Sequence, residues 1–146
     1  MQLPEYITVA EVQRVCRELG LSDWTGMGAH PEVKPEEARI ILAEVNTAGM
    51  DVPLEEFRVG LEVELEHGNR FPDANVTNNH PLLTGKIVLA HLKEAMDYYE
   101  RLDVAEIEGD ILKALLAKNP AKLETLQRKL ARAKLALCQA EAAKLG

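Results

Sequence analysis

The chain has 146 residues and a mass of 16.2 kDa, a length that fits about one domain and can bury a core without disulfides or metals as obligatory staples. Its 24 acidic against 17 basic side chains leave a net charge of −7, which repels a phosphate backbone and argues against nucleic acid as a partner. No segment is apolar enough to span a bilayer, the first residues lack an export signal's basic and apolar regions, and Cys16 and Cys138 form no short-spaced pair, so the simplest setting is reduced and cytoplasmic.

Aromatic residues make up only 4% of the chain, and Ala, Leu, Glu, Lys and Arg dominate the long segments, which points to an all-α fold. Thr8-Val9-Ala10-Glu11 reads as a capping box opening a first helix over about 9–19, with Val9, Val12, Cys16 and Leu19 at helical spacing and Gly20 as its stop. The stretch 20–34, with Gly26, Gly28, Pro31 and the sole Trp24, reads as an ordered loop. Pro35, followed by Glu36 and Glu37 against the helix dipole, opens a second helix whose face is Ala38, Ile41, Leu42 and Val45.

Asp51 and Pro53 open a third helix that runs through Phe57, Leu61 and Leu65 to a stop at Gly68. The Asn-, Asp- and Pro-rich stretch 68–80 reads as a loop. Within it, Asp73, Asn75, Thr77 and Asn79 alternate like calcium ligands, but the sharp-turn glycine is missing and Thr84 stands where a bidentate Glu is needed. Asn79 or His80 caps a fourth helix with Pro81 in its first turn, continuing from Leu82 to about Leu102 and on, past a bend near Asp103 or Gly109, to Lys118. Asn119-Pro120 starts a last helix in which Leu123, Leu126, Leu130, Ala133, Leu137 and Ala140 form a heptad seam. Ile107, Ile111 and Leu115 of the same chain, or the same helix of a second subunit, can cover that seam equally well.

The third and fourth helices carry Glu64-x-x-His67 and His91-x-x-Glu94, mirrored pairs that each lie on one helix face. At about 100° per residue, Glu64 falls inside the apolar stripe and His67 at its edge, while His91 falls in the middle of a stripe of Thr84, Ile87, Ala95, Tyr98 and Leu102, with Glu94 at its margin. Such pairs on facing helices can converge on a divalent ion. Glu64 and His91 can equally satisfy each other as packing polars. In a plain hairpin His91 would lie about 15 Å from the level of His67, so convergence depends on the path of residues 68–80.

The blocks Gly60-Leu61-Glu62-Val63-Glu64-Leu65-Glu66-His67-Gly68, Asn75-Val76-Thr77-Asn78, Thr84-Gly85-Lys86-Ile87-Val88-Leu89-Ala90-His91-Leu92-Lys93-Glu94 and Tyr98-Tyr99 resemble an uncharacterised domain family of bacterial and phage-associated proteins over about 35–102. The resemblance implies a helical domain of unknown function and brings no ligand or catalytic residue with it. His80 stands where that family carries a second acidic residue, so the resemblance does not place His80 in a shared site.

These readings combine into an all-α helical bundle of about five helices with a C-terminal helical hairpin or coiled-coil helix. Residues 1–118 form the core domain, and residues 119–146 form an amphipathic helix that packs on it or on a second subunit. The expected function is a non-enzymatic interaction or assembly module that binds a protein partner or itself through the C-terminal helix. The alternative is a divalent transition-metal site made of Glu64, His67, His91 and Glu94. A third reading, an enzyme using a desolvated Glu64 as base with His91 tuning it, requires a cavity beside Glu64.

Overall fold

A computed structural model describes residues 4–145, which hold six α-helices, two single 3-10 turns and no strand. Helix α1 spans Val9–Leu19; Thr8 Oγ1 accepts from the Glu11 backbone N–H at 3.2 Å, as a capping box requires. The reciprocal half is absent, because Arg14 takes the Glu11 carboxylate at 2.6 and 2.7 Å. Gly20 ends α1 at φ 69°, where its own N–H and that of Leu21 return to the carbonyls of Arg17 and Cys16.

The loop after α1 is tied down by buried Trp24, whose indole N–H donates to Glu37 Oε2 at 3.2 Å, while the Ser22 backbone N–H donates to Oε1 at 2.8 Å. Burial pushes the Glu37 carboxyl up, but the hydrogen bonds from Ser22 and Trp24 outweigh it and hold the group below its ordinary value. Glu37 belongs to α2, Pro35–Val45, whose inner face is Ala38, Ile41 and Val45. Helix α3, Leu54–Arg70, buries Phe57, Leu61 and Leu65, and α4, Pro81–Glu94, buries Thr84, Val88, Leu89 and Leu92. Helices α2, α3 and α4 pack pairwise on one another, and each large side chain buried there contributes about 1.5–3 kcal/mol.

Three expectations change. Helix α3 passes through Gly68 to Arg70; that glycine permits close approach, since a Cβ there would lie 2.8 Å from Asn75 Nδ2 and 3.0 Å from Asn79 Oδ1. The long fourth helix breaks at 95–97, ahead of α5, Tyr98–Leu116, which runs straight through Asp103 and Gly109. The stripe computed across that break was therefore out of phase. The buried face of α4 is Thr84, Gly85, Val88, Leu89 and Leu92, and Ile87 and Ala90 are exposed.

The chain divides into two compact units, Met1–Glu94 and Ala95–Gly146. The second unit is a hairpin of α5 and α6, Pro120–Leu145, joined at Lys118 with φ 51° and capped by Asn119, whose Oδ1 accepts from the Lys122 N–H at 3.0 Å. Leu123, Leu126, Leu130 and Ala133 of the heptad seam pack on Val104, Ile107, Ile111 and Ala114 of the same chain. Ala114 takes the place expected of Leu115: steps of four and three from Ile107 and Ile111 arrive at 114, and Leu115 turns out, 54% exposed.

Candidate functional site

The last two turns of α3, the loop 71–80 and the outer face of α4 bring the polar residues of the first unit together. The loop is held by its own amides. Asn75 Nδ2 donates to Asn79 Oδ1 at 2.9 Å, and Asn79 Nδ2 donates to Asn69 Oδ1 at 2.7 Å and to the Trp24 carbonyl at 3.4 Å. Asn69 continues the chain of bonds to the Gly28 carbonyl at 2.7 Å, and Thr77 donates to Asn75 Oδ1 at 3.1 Å. Asn78 and Asn79 are successive left-handed residues, at φ 47° and 64°, a conformation that asparagine tolerates better than most residues.

His80 closes the loop. It is buried, and its Nδ1 accepts from the Leu82 N–H at 3.2 Å, capping α4 as one of the two candidates expected from sequence. Burial holds the imidazole below its ordinary value, which favours the neutral ring that such a cap requires.

Across α3 and α4, Glu64 Oε1 lies 3.4 Å from His91 Nε2, with side-chain exposures of 16% and 29%. The distance is at the long end for an N–H···O hydrogen bond, and it becomes an ion pair only when the imidazole carries a proton. Both residues are half-buried: on α3 the core position beside Glu64 is Leu65, and on α4, which is rotated relative to the expected stripe, Leu92 takes the core position expected for His91. The loop therefore carries the chain far enough along α3 for one residue of each mirrored pair to meet.

A hollow of about 220 Å³ opens beside this contact, lined by Glu64, His67, Phe71, Val76, Thr77 and Ile87. The enzymatic reading asks for such a cavity next to Glu64, and the volume admits only small groups. Arg70 stacks over the Phe71 ring at 5.3 Å on the same stretch of chain. A second hollow of about 310 Å³ is bounded by Val9, Thr25, Asn69 and Asn78, and Gly68 and Asn75 line both.

Of the four residues singled out from sequence, Glu64 and His91 are in contact, His67 lines the hollow beside them, and Glu94 is exposed at the last residue of α4. Among the described residues no three His, Cys, Asp or Glu side chains are grouped closely enough to hold a metal ion. Sequence reasoning missed the amide network. Its signal was the density of Asn in 75–79, while the contribution of Asn69 from α3 depends on the loop's path.

Among the described residues no helix is long and apolar enough to cross a membrane, and Cys16 and Cys138 are both free thiols, the first buried and the second exposed. No curated protein and no solved structure matches this chain. A family profile does match residues 12–108, from within α1 to the middle of α5, and the chain belongs to that family, described as Protein of unknown function (DUF5661).

Proposed function

We propose that this chain is a non-enzymatic helical interaction module that engages a helical protein surface through the outer faces of the α5–α6 hairpin. The observation that carries the reading is the exposure of that hairpin's leucines: Leu112, Leu115, Leu116, Leu135 and Leu145 are 54–87% exposed. Single exposed apolar residues are ordinary, but Leu112, Leu115 and Leu116 follow at helical spacing on one side of α5, and such a grouping supports the reading. The cluster between the two helices has Ile107, Ala114, Leu126 and Ala133 buried, with Val104, Ile111, Leu123 and Leu130 only partly covered around them, so the hairpin gains from further burial.

Photo-crosslinking side chains placed at Leu115 and at Leu135, with exposed Glu66 as control, test the reading in cells. Protein adducts from the two hairpin sites and none from Glu66 are expected. Absence of adducts at both hairpin sites overturns the proposal.

A second reading, divalent-metal binding, is favoured by the Glu64–His91 contact with His67 on the adjoining wall. His67 and His91 would supply imidazole nitrogen and Glu64 carboxylate oxygen, a set suited to a transition metal. Since the three are not grouped in this structure, the reading requires His67 to turn toward the Glu64–His91 contact, and Glu94 joins only if the end of α4 adjusts as well. Elemental analysis of protein purified without a metal-affinity tag decides it. Near-stoichiometric metal that a His67→Ala/His91→Ala variant loses supports the reading, and metal-free protein whose melting is unchanged by chelator removes it.

A further inference from the structure

We propose that the amide-lined hollow of the first unit is a binding site for a neutral sugar of monosaccharide size. The hollow holds about 310 Å³ between the start of α1, the loop that carries Trp24, the end of α3 and the loop 71–80. That volume stands at the lower end of the range of about 300–1,000 Å³ in which small-molecule sites fall. It lies beside the Glu64–His91 hollow, with which it shares Gly68 and Asn75, and takes none of that hollow's ionisable groups. The proposal does not depend on the interaction reading of the hairpin.

The walls select the class of ligand. Asp, Glu, Lys and Arg make up 28% of the chain, yet none of the described residues lining this hollow is charged and none is aromatic. An anion finds no cation there and a cation finds no carboxylate, so an ionised ligand would shed its water without a partner. Without a ring on the wall, the stacking platform on which a nucleobase is usually held is missing too. What the walls offer is carboxamide, from Asn69, Asn75 and Asn78, and apolar surface, from Val9, Met27 and Pro72. A sugar matches both, with hydroxyls around its edge and C–H groups on the faces of its ring.

The carboxamides are held ready for hydroxyls. Each has two N–H donors and an oxygen with two acceptor positions. Asn69 donates to the Gly28 carbonyl at 2.7 Å and accepts from Asn79 Nδ2 at 2.7 Å, and Asn75 donates to Asn79 Oδ1 at 2.9 Å and accepts from Thr77 at 3.1 Å. These bonds fix the orientation of both amides. Among the described residues they leave Asn69 and Asn75 one N–H and one acceptor position each, the combination that a hydroxyl, itself donor and acceptor, can use. Asn79 is 6% exposed and commits its N–H groups to Asn69 and the Trp24 carbonyl, so it is a positioning residue that braces the wall. Asn78 and Asn79 also stand in the left-handed region one after the other, at φ 47° and 64°, and both line the hollow. Backbone strain of this kind gathers where a ligand site must be shaped before the ligand arrives.

The test titrates the full chain with glucose, galactose, mannose and N-acetylglucosamine and follows the side-chain amide signals of isotope-labelled protein by NMR. At millimolar concentration at least one of these probes should shift the Asn69 and Asn75 signals saturably. An aminated and a phosphorylated form of the same sugar should shift them less, because each brings in a charge that the walls do not pair. Ala29→Phe places a ring in the hollow from an exposed position outside the amide bonds, and should abolish the shifts with the melting temperature unchanged. Val9→Phe, at the 47% exposed first residue of α1, should do the same. Absence of shifts with every probe overturns the proposal, as do shifts that survive both filling variants or that the charged forms match. Equal shifts from the free sugar and its methyl glycoside support the end of a glycan as the source, and shifts from the free sugar alone support a free monosaccharide.

Discussion

Gly85 sits where α4 presses on its neighbours: a Cβ at this position would lie 2.7 Å from Ile41 Cγ2 and 3.3 Å from Phe57 Cζ. Both neighbours are fully buried, so neither can yield, and Gly85→Ala should destabilise the first unit by about 1–3 kcal/mol in urea titration. Gly109, inside α5, meets nothing within 4 Å, and Gly109→Ala should stabilise by about 0.4–1 kcal/mol in the same measurement. The sequence does not distinguish these two glycines, because each interrupts a helical pattern and only the packing differs. His80 is a related case: a cap candidate from sequence, but its burial depends on the folded loop. Its depressed pKa means the unfolded chain binds the proton more readily, so stability should fall as pH drops below about 6.5 toward the folded value. His80→Asn, which keeps a cap acceptor without a titrating group, should show a shallower pH dependence of melting temperature across that window.

At the level of the helix, local chemistry in the sequence was a reliable guide wherever it was strong. Thr8, Gly20, Pro35, Pro81 and Asn119-Pro120 mark boundaries that the structure keeps, because caps and proline act within a few residues. The break at 95–97 carries no glycine or proline, and missing it rotated the inferred inner face of α4 and moved His91 to the core on paper. The Glu64–His91 contact was legible as a pairing, but its half-buried setting was not. Just past that break, Asp97 receives Arg101 Nη2 at 2.7 Å and Lys144 at 2.7 Å, tying the start of α5 to the end of α6. Arg101 and Lys144 hold its carboxyl down at about 2, so this contribution is complete above about pH 4 and lost as pH falls toward 2. Acid unfolding followed by circular dichroism should show Asp97→Asn less stable than the native chain at neutral pH, with the difference shrinking below about pH 4.

Over the whole chain, charge and core are unevenly shared. Residues 1–94 hold sixteen of the 24 acidic side chains and most of the buried apolar ones, while the second unit buries few large side chains. Hydrogen exchange should therefore find amides in the middle of α5 and α6 opening at lower free energy than those between Phe57 and Leu65 of α3. Equal protection in both regions would contradict this division of stability. Composition had already settled the helical class, since the few aromatic residues and the Ala, Leu, Glu and Lys content leave little from which to build a sheet. The division at Glu94 was not visible, because it follows from which helices touch, and spacing along one strand of sequence does not record that.

The thin core of the α5–α6 hairpin has a consequence for how a cell disposes of the chain. A helix pair that opens locally before the first unit does is where a protease first meets unfolded backbone, so the turnover of the protein is governed by its second unit.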